Sequence, residues 1–398
     1  MGRSFFWPVA KSLASLGHKV TIVSDQAPGN ELNYENSEVR IVYLRERHSE
    51  KRSNYYDRQL LNKIRELHTE QAFDIIHGLD SSCLPIGMNK KDLGISVAYD
   101  SECTQMSQIF SLLGMAQDSI PTLLYTSLAV AYKFMSTYLT NDRKLLKTAD
   151  GVFVTTPRQQ IVLERYYLYP ELKTYQIPYG LQPLELRDQE SLDQFKKDIG
   201  LSESAKVVVT ISDMTEKYEL VNVLSAFQKL AIKKPSSRLI IIGTGPYFKH
   251  VEYEMLSLAL GSKVKLVGAV KDSDIPNYLG IANVFVNLSS RTTGLEPSLL
   301  AAMAQRKIVI GSEVSAISTV VEDSVDGFLI RPADYAELSN LLISIFSNQI
   351  PTREMGERAR NKVVNLFDLD KMTNSTIQAY NDILVRNKKY SLNSTNSH

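Results

Sequence analysis

Short apolar runs rich in valine and isoleucine recur along this chain and alternate with stretches of helical periodicity. Near-continuous apolar strands are typical of a parallel sheet covered by helices on both faces. Strands are predicted at residues 19–25, 39–44, 74–78, 95–100, 151–156 and 174–178, and then at 206–212, 238–243, 263–270, 283–288, 307–312 and 327–331. This alternation predicts an α/β protein with doubly wound parallel sheets.

The predicted helices carry apolar stripes. Between the strands at 206–212 and 238–243, apolar residues recur at helical spacing, at Leu220, Leu224, Phe227 and Ala231. Four polar residues of the same stretch are predicted to face water, and they are Glu219, Gln228, Lys229 and Lys233. Such a stripe indicates a helix that packs one face on a sheet.

The length of 398 residues suggests two or three domains, since a domain typically has about 100–200 residues. A polar, charge-dense segment without a strand, residues 181–204, is predicted to link a domain of residues 1–180 to a second of residues 205–366. A terminal helix and polar tail follow at 367–398. We expect the two Rossmann-like domains to face each other across a cleft, with ligands at the carboxyl ends of the strands.

Charge and metal-ligand composition exclude several functions. The chain has 45 Lys+Arg and 44 Asp+Glu, which gives no bulk attraction to nucleic acid. Two cysteines give no disulfide framework, and the scattered histidines make a zinc site improbable. With no predicted signal peptide, we expect a cytoplasmic protein. Residues 120–139 are apolar but contain Lys133, which favours a buried or interfacial helix over a membrane span.

A glycine-rich turn follows the strand at 238–243. Gly243, Gly245 and Pro246 lie between this strand and the next predicted helix. Glycines let the backbone approach a ligand closely, and free amides at a helix start suit a phosphate. The same turn also serves as a structural strand-to-helix connection, and both readings stay open here. No GxGxxG follows a strand, so a nicotinamide dinucleotide fold loses its main support.

A second candidate anion site follows the strand at 283–288. A polar turn leads into a helix that begins at Pro297, where proline is preset for helical φ. Unpaired amides near Gly294, Leu295, Glu296 and Ser298 are predicted to form a pocket for an anion. The alternative for Glu296 is a side chain placed there only by the helix dipole.

The whole chain resembles GT-B glycosyltransferases of the family-4, or glycosyl transferase group 1, type. The matching pieces keep the family's order, and they are Gly17-His18-Lys19-Val20-Thr21, Asp74-Ile75-Ile76-His77, Ala149-Asp150-Gly151-Val152, Ile177-Pro178-Tyr179-Gly180, Ile242-Gly243-Thr244-Gly245-Pro246, Val267-Gly268, the segment 282–304, and Asp326-Gly327-Phe328-Leu329. The resemblance implies transfer of a sugar from a nucleotide diphosphate sugar to an acceptor hydroxyl, with retention and without a metal or other cofactor. It also implies that the terminal helix returns to the first domain.

The family's two glutamates, separated by seven residues, are absent. They fall on Thr293 and Ala301 in this sequence. Loss of a carboxylate that binds the nucleotide ribose removes charge-assisted hydrogen bonds worth roughly 1.5–3 kcal/mol each, unless Glu296 or Arg291 compensates. Lys217 matches the lysine that neutralises the leaving diphosphate. The resemblance therefore assigns the donor to Gly243, Gly245, Pro246, Gly268, Arg291, Thr293, Gly294, Leu295 and Glu296.

The first domain also departs from the family. Where the family places a histidine after the fourth strand, this chain has Asp100 and Glu102, which together with Lys217 are the predicted catalytic residues. The alternative for this stretch is a strand terminus that caps the next helix. The family's first strand has no counterpart after Met1, so we expect either a start codon placed too far downstream or a sheet without its central strand.

Three functions remain open at this stage. The first is a retaining hexosyltransferase in polysaccharide or glycolipid synthesis, with a glycan or lipid-linked acceptor and a peripheral membrane contact through residues 107–139. The second is a catalytically silent subunit that acts as a scaffold or glycan-binding partner of an intact glycosyltransferase. The third is a nucleotide-sugar epimerase, which shares the two-domain architecture.

Overall fold

The computed structural model describes residues 6–24, 33–36, 39–44, 54–79, 81–101, 127–128, 131–132, 134–135, 141–182, 186–271, 273–290 and 297–395. The chain divides into two compact units. We call Leu181–Asp368 the C-terminal unit, and Ser4–Gly180 together with Leu369–His398 the N-terminal unit. Within the described part of the chain, no helix combines the length and hydropathy needed to cross a membrane.

The described strands of the N-terminal unit are β1 (Val20–Ser24), β2 (Asn33–Asn36), β3 (Val39–Tyr43), β4 (Ile75–Gly78), β5 (Ser96–Asp100), β6 (Gly151–Val154) and β7 (Thr174–Gln176). Its described helices are α1 (Phe6–Ser15), α2 (Asn54–Glu70), α3 (Leu84–Met88), α4 (Lys90–Leu93), α5 (Arg143–Thr148), α6 (Pro157–Tyr167) and the last helix of the chain, α15 (Leu369–Thr395). Short 3-10 helices lie at Ser81–Cys83 and Glu171–Lys173.

The strands of the N-terminal unit form two sheets. One has the order β1-β3-β2 and the other the order β4-β5-β6-β7. All described pairings are parallel except that of β2 with β3, which is antiparallel. The predicted strands of this half are confirmed, but β2 was not predicted. Its sequence, Asn33–Asn36, is polar and carries no apolar run that could signal a strand.

Local chemistry sets the helix starts of this unit. At α6, the side chain of Thr156 accepts a hydrogen bond from the Gln159 amide, and the side chain of Gln159 accepts from the Thr156 amide. Pro157 occupies the first helical position, where its missing amide costs no hydrogen bond. This capping box follows directly from the order Thr-Pro-x-Gln, so the start of α6 is encoded within four residues.

The last helix, α15, packs on α1 and β5 within the N-terminal unit. Ile383 of α15 is fully buried and lies over Gly151 at the start of β6, where any side chain would collide with it. Arg386 donates to the carbonyl of Leu172 and to the hydroxyl of Tyr175. These contacts make the last helix a part of the core of the unit that contains α1 and β5.

The described strands of the C-terminal unit are β8 (Lys206–Ile211), β9 (Ser237–Ile242), β10 (Val264–Gly268), β11 (Val284–Asn287), β12 (Ile308–Ser312) and β13 (Phe328–Ile330). Its described helices are α7 (Gln189–Asp198), α8 (Glu219–Lys233), α9 (Phe248–Ser257), α10 (Ile275–Ile281), α11 (Pro297–Ala304), α12 (Ser315–Ser318), α13 (Tyr335–Phe346) and α14 (Thr352–Leu366).

These strands form one parallel sheet with the order β10-β9-β8-β11-β12-β13. The order reverses between β8 and β11, which is the topological switch point where doubly wound sheets bind ligands. The sheet core is apolar, and the stripe of α8 contributes Leu220, Leu224, Phe227 and Ala231 to it as predicted. The predicted exposure of Glu219 is wrong, because this side chain is buried and bonded to Ser212.

Residues 181–204, predicted as a linker, contain helix α7 of the C-terminal unit. Asp188 caps this helix by accepting a hydrogen bond from the Ser191 amide at 2.8 Å, which holds the pKa of this carboxyl below its usual range. Leu192 packs against Gly280 of α10, where a side chain at position 280 would collide with it. The segment is polar because most of α7 faces water, while its one buried face anchors it to the unit.

Candidate functional site

The carboxyl edge of the C-terminal sheet gathers the loops that follow β8, β9 and β10. The chain after β8 runs through residues 212–218 to α8, and the chain after β9 runs through residues 243–247 to α9. At the end of β10, the carbonyl of Gly268 accepts a hydrogen bond from the Gly243 amide at 2.8 Å. Backbone contacts therefore hold the ends of these three neighbouring strands together.

The glycines after β9 are required by a close approach of two backbones. A Cβ at Gly243 would lie 1.9 Å from the carbonyl oxygen of Ser212, and one at Gly245 would lie 1.9 Å from that of Asp213. Gly243 also has φ of 123°, a conformation that side chains rarely allow. The Tyr247 amide completes the contact by donating to the carbonyl of Met214 at 3.1 Å. The turn after β9 thus packs directly on the loop after β8.

Lys217 lies on this loop, two residues before α8. Its side chain is exposed, and its ammonium nitrogen lies 5.1 Å from the centroid of the Tyr218 ring. Asp213, at the start of the loop, accepts hydrogen bonds from the amide and the hydroxyl of Thr215. The cation that we predicted for the leaving diphosphate therefore belongs to the loop that the glycine turn contacts.

A buried hydrogen bond anchors this loop to the helix that follows it. The Ser212 hydroxyl donates to the Glu219 carboxylate at 2.6 Å and accepts from the Met214 amide at 3.0 Å. Glu219 is only 5% exposed, and a carboxylate that far from water is stable only when it is hydrogen-bonded. This bond fixes both ends of the loop that carries Lys217.

Glu216, the residue before Lys217, connects this loop to the end of β11. Its carboxylate accepts a hydrogen bond from the Ser289 hydroxyl at 2.5 Å and one from the Ser290 amide at 2.9 Å. The Ser290 hydroxyl also donates to it. Glu216 was not among the predicted site residues, and its only local signal is a carboxylate beside a lysine in a polar turn.

The second predicted anion site is described in part. Arg291, Thr293, Gly294, Leu295 and Glu296 lie outside the described residues. Helix α11 begins at Pro297 as predicted. Ala301, the position matched to the second family glutamate, is 6% exposed on this helix.

In the N-terminal unit, the strand β5 ends at Asp100, and Glu102 lies outside the described residues. Burial and, to a smaller extent, the negative charge of Asp100 raise the pKa of the Tyr380 hydroxyl on α15. The Tyr380 hydroxyl lies 2.8 Å from Nδ1 of His77, at the third position of β4. Burial lowers the pKa of His77 to about 3, so its ring is neutral near pH 7.

The chemistry of the site depends on which charged and polar groups it contains. Among the described residues, no group of three or more His, Cys, Asp or Glu side chains is placed to hold a metal ion. The structure brings Lys217, Gly243, Gly245, Pro246 and Gly268 to one edge of the C-terminal sheet. The Gly243 amide is bonded to the Gly268 carbonyl and Pro246 has no amide proton, so the groups of this set that could meet an anion are the Gly245 amide and the Lys217 ammonium.

The C-terminal unit resembles a known protein family. Residues 192–362 match the sequence model of the family described as glycosyl transferases group 1. Among curated proteins, N-acetyl-alpha-D-glucosaminyl L-malate synthase from Bacillus anthracis is 27% identical over 232 residues, which cover 58% of this chain and 60% of that relative's length.

Solved structures extend the likeness to nearly the whole chain. Sucrose-phosphate synthase from Thermosynechococcus elongatus has a TM-score of 0.75 at 19% identity, covering 95% of this chain and 92% of its own. HepE from Anabaena, solved in complex with UDP and glucose, has a TM-score of 0.67 at 16% identity, covering 91% and 99%. Residues 192–362 therefore resemble the glycosyl transferases group 1 family, and the chain shares the GT-B fold of these solved structures.

Proposed function

We propose that this protein transfers a sugar from a nucleotide diphosphate sugar to an acceptor hydroxyl, with retention at the anomeric carbon and without a metal. The observation that carries the proposal is the contact of the Gly243–Gly245 turn with the loop of Lys217 inside the matched domain. The neighbour from Anabaena supports the donor class, because it was solved with UDP and glucose. Synthesis of a polysaccharide or a glycolipid is the process in which we place this reaction.

In the proposed step, the bond between the anomeric carbon and the diphosphate oxygen breaks. The acceptor oxygen forms its new bond to the same face of that carbon. The departing diphosphate gains negative charge, which the Lys217 ammonium and the Gly245 amide stabilise. The acceptor hydroxyl loses its proton to the departing diphosphate, so the charges balance without an added base. No metal is needed, since Lys217 supplies the positive charge.

On the acceptor side we propose Asp100 as a polar contact of the N-terminal unit. Three described residues of the segment 107–139, Leu128, Tyr132 and Met135, are exposed by 73%, 76% and 62%. Exposed apolar side chains suit a lipid-linked acceptor or a membrane surface. Flotation with liposomes, with and without anionic lipid, tests this contact, and a chain that stays at the bottom of the gradient in both cases contradicts it.

The second candidate is a catalytically silent subunit. It is favoured by Ala301, which places a methyl group where the family has a carboxylate for the ribose, at a buried position of α11. Such a subunit keeps the fold as a scaffold or as a partner of an intact glycosyltransferase. It predicts that glutamates restored at Thr293 and Ala301 give no activity. Sugar transfer by the purified wild-type chain alone contradicts it.

Calorimetry with UDP, GDP and ADP tests the proposed function directly. We expect one of them to bind the wild-type chain, and no binding at millimolar concentration would refute the proposal. In the turnover assay, Lys217→Met is expected to lower kcat by roughly 10²–10³, the usual effect of losing one charge-stabilising group. Lys229→Met is the matched control, because Lys229 lies 4.8 Å from the ring centroid of Tyr335 in the same unit. EDTA is expected to leave the rate unchanged.

A further inference from the structure

Glu216 ties the loop of Lys217 to the end of β11. Two consecutive serines, Ser289 and Ser290, direct three hydrogen bonds at its carboxylate. We propose that Glu216 is a positioning residue of the donor site, which it orders by fixing these two strand-end loops to each other. This inference rests on the proposed function, because it assumes that a nucleotide diphosphate sugar binds at this edge of the sheet.

The hydrogen bonds of Glu216 with Ser289 and Ser290, which we call the tie, lie past the last paired residues of β8 and β11. Strands β8 and β11 are paired at Val284 with Val208 and at Phe285 with Val209. Ser289 and Ser290 follow this pairing by several residues. Past the pairing, the Glu216 carboxylate supplies the bonds that connect the ends of these neighbouring strands.

The chemistry of the tie calls for a carboxylate. An ionised carboxylate only accepts hydrogen bonds, and its two oxygens together offer about four lone-pair sites. Three donors from two serines fit that capacity, and the bonds are charge-assisted. Glutamine offers one acceptor oxygen, while its amide group would point a donor at a serine. Glu216→Gln therefore keeps the size of the side chain and removes part of the tie.

The turn at Ser289 and Ser290 is built by side chains. Asn287, the last residue of β11, accepts from the Ser289 amide at 3.1 Å through its side-chain oxygen. Glu216 takes the Ser289 hydroxyl and the Ser290 amide. Because one of these two acceptors belongs to the loop of Lys217, the turn and that loop are expected to order together.

The affinity for the nucleotide donor tests whether Glu216 positions the donor site. We expect Glu216→Gln to weaken the affinity for the nucleoside diphosphate that wild type binds by about tenfold, the effect of losing one charge-assisted hydrogen bond. The KM for the donor should rise by the same factor, while the KM for the acceptor stays near wild type. Glu252→Gln is the matched control, since Glu252 pairs with Lys249 on the exposed surface of α9 and is expected to change neither constant.

A double-mutant cycle separates the tie from a general effect of each residue. If Glu216 acts through the serines, adding Ser289→Ala and Ser290→Ala to Glu216→Gln should cost far less than the product of the separate losses. Amide hydrogen exchange at Ser290 can be measured without any bound nucleotide sugar. We expect Glu216→Gln to accelerate this exchange at least tenfold.

The outcomes are distinguishable. If wild type binds no nucleoside diphosphate, the proposed function fails and the role of Glu216 fails with it. If wild type binds and Glu216→Gln binds equally well, the role fails while the proposed function stands. Losses that multiply independently in the cycle also overturn the role, because they show that Glu216 and the serines act separately.

Discussion

Replacing Gly245 with alanine tests the contact on which the candidate donor site is built. The new Cβ would lie 1.9 Å from the carbonyl oxygen of Asp213, whereas real Cβ contacts under 3.0 Å are essentially never found. The two backbones must therefore separate by at least 1.1 Å, the difference between these values. Gly245 is not in a left-handed conformation, so the strain comes from the collision itself.

The cost follows from overpacking. Forcing extra atoms into a packed site typically costs about 1–3 kcal/mol of unfolding free energy. For a unit of this size, each kcal/mol shifts the melting temperature by roughly 2–4 °C, so we expect a drop of about 2–12 °C. Donor affinity should fall as well, because the loop of Lys217 moves with Asp213.

The control is Gly261→Ala in the same unit. A Cβ there would meet only Leu256, at the ordinary contact distance of 3.7 Å, so the melting temperature should stay within about 2 °C of wild type. Far-UV circular dichroism follows both units, while the single tryptophan, Trp7, follows the N-terminal unit by fluorescence. A Gly245→Ala chain that melts with the control and binds donor like wild type would refute the close contact.

Two further predictions concern the cores. Phe227→Ala should lower the unfolding free energy by about 3–5 kcal/mol in urea titrations, since Phe227 is fully buried, whereas Ile232→Ala on the same helix, where Ile232 is 75% exposed, should change it by less than about 0.5 kcal/mol. Because the folded pKa of His77 lies near 3, below its ordinary 6.5, only the unfolded chain takes up this proton between those values, and folding stability falls as the pH drops through that range. His77→Gln removes this dependence, so its stability relative to wild type should improve by about 1 kcal/mol from pH 6 to pH 5, and an unchanged difference would contradict the neutral ring.

Much of the fold is visible in the sequence because buried parallel strands are apolar along their whole length. Each of the predicted strands overlaps a strand of the structure, and the stripe of α8 is buried as expected. The features that were predicted wrongly or not at all involve polar residues. Strand β2 at Asn33–Asn36 has no apolar run and pairs with β3, and Glu219 is buried because Ser212, seven residues earlier, gives it a partner.

Residues of the candidate site could be predicted from the sequence where the signal lies in neighbouring residues. They could not be predicted where the contact joins distant parts of the chain. Glycine after a strand marks a close backbone approach, and Gly243 and Gly245 have that role. Glu216 could not be found in this way, because its partners Ser289 and Ser290 are separated from it by more than seventy residues. Periodicity reports how one element faces its neighbours, but it does not report which loops meet at the end of a sheet.

The place of α15 in the N-terminal unit sets the order in which the chain can be completed. Leu181 and Asp368 are bridged to each other, so the chain enters and leaves the C-terminal unit at adjacent points. During translation at about 5–20 residues per second, the ribosome needs roughly 10–40 s to make that unit before the residues of α15 follow. During that interval, the surfaces of β5 and α1 that α15 covers in the folded protein lack this helix. The N-terminal unit is therefore completed only after the whole C-terminal unit has been synthesised.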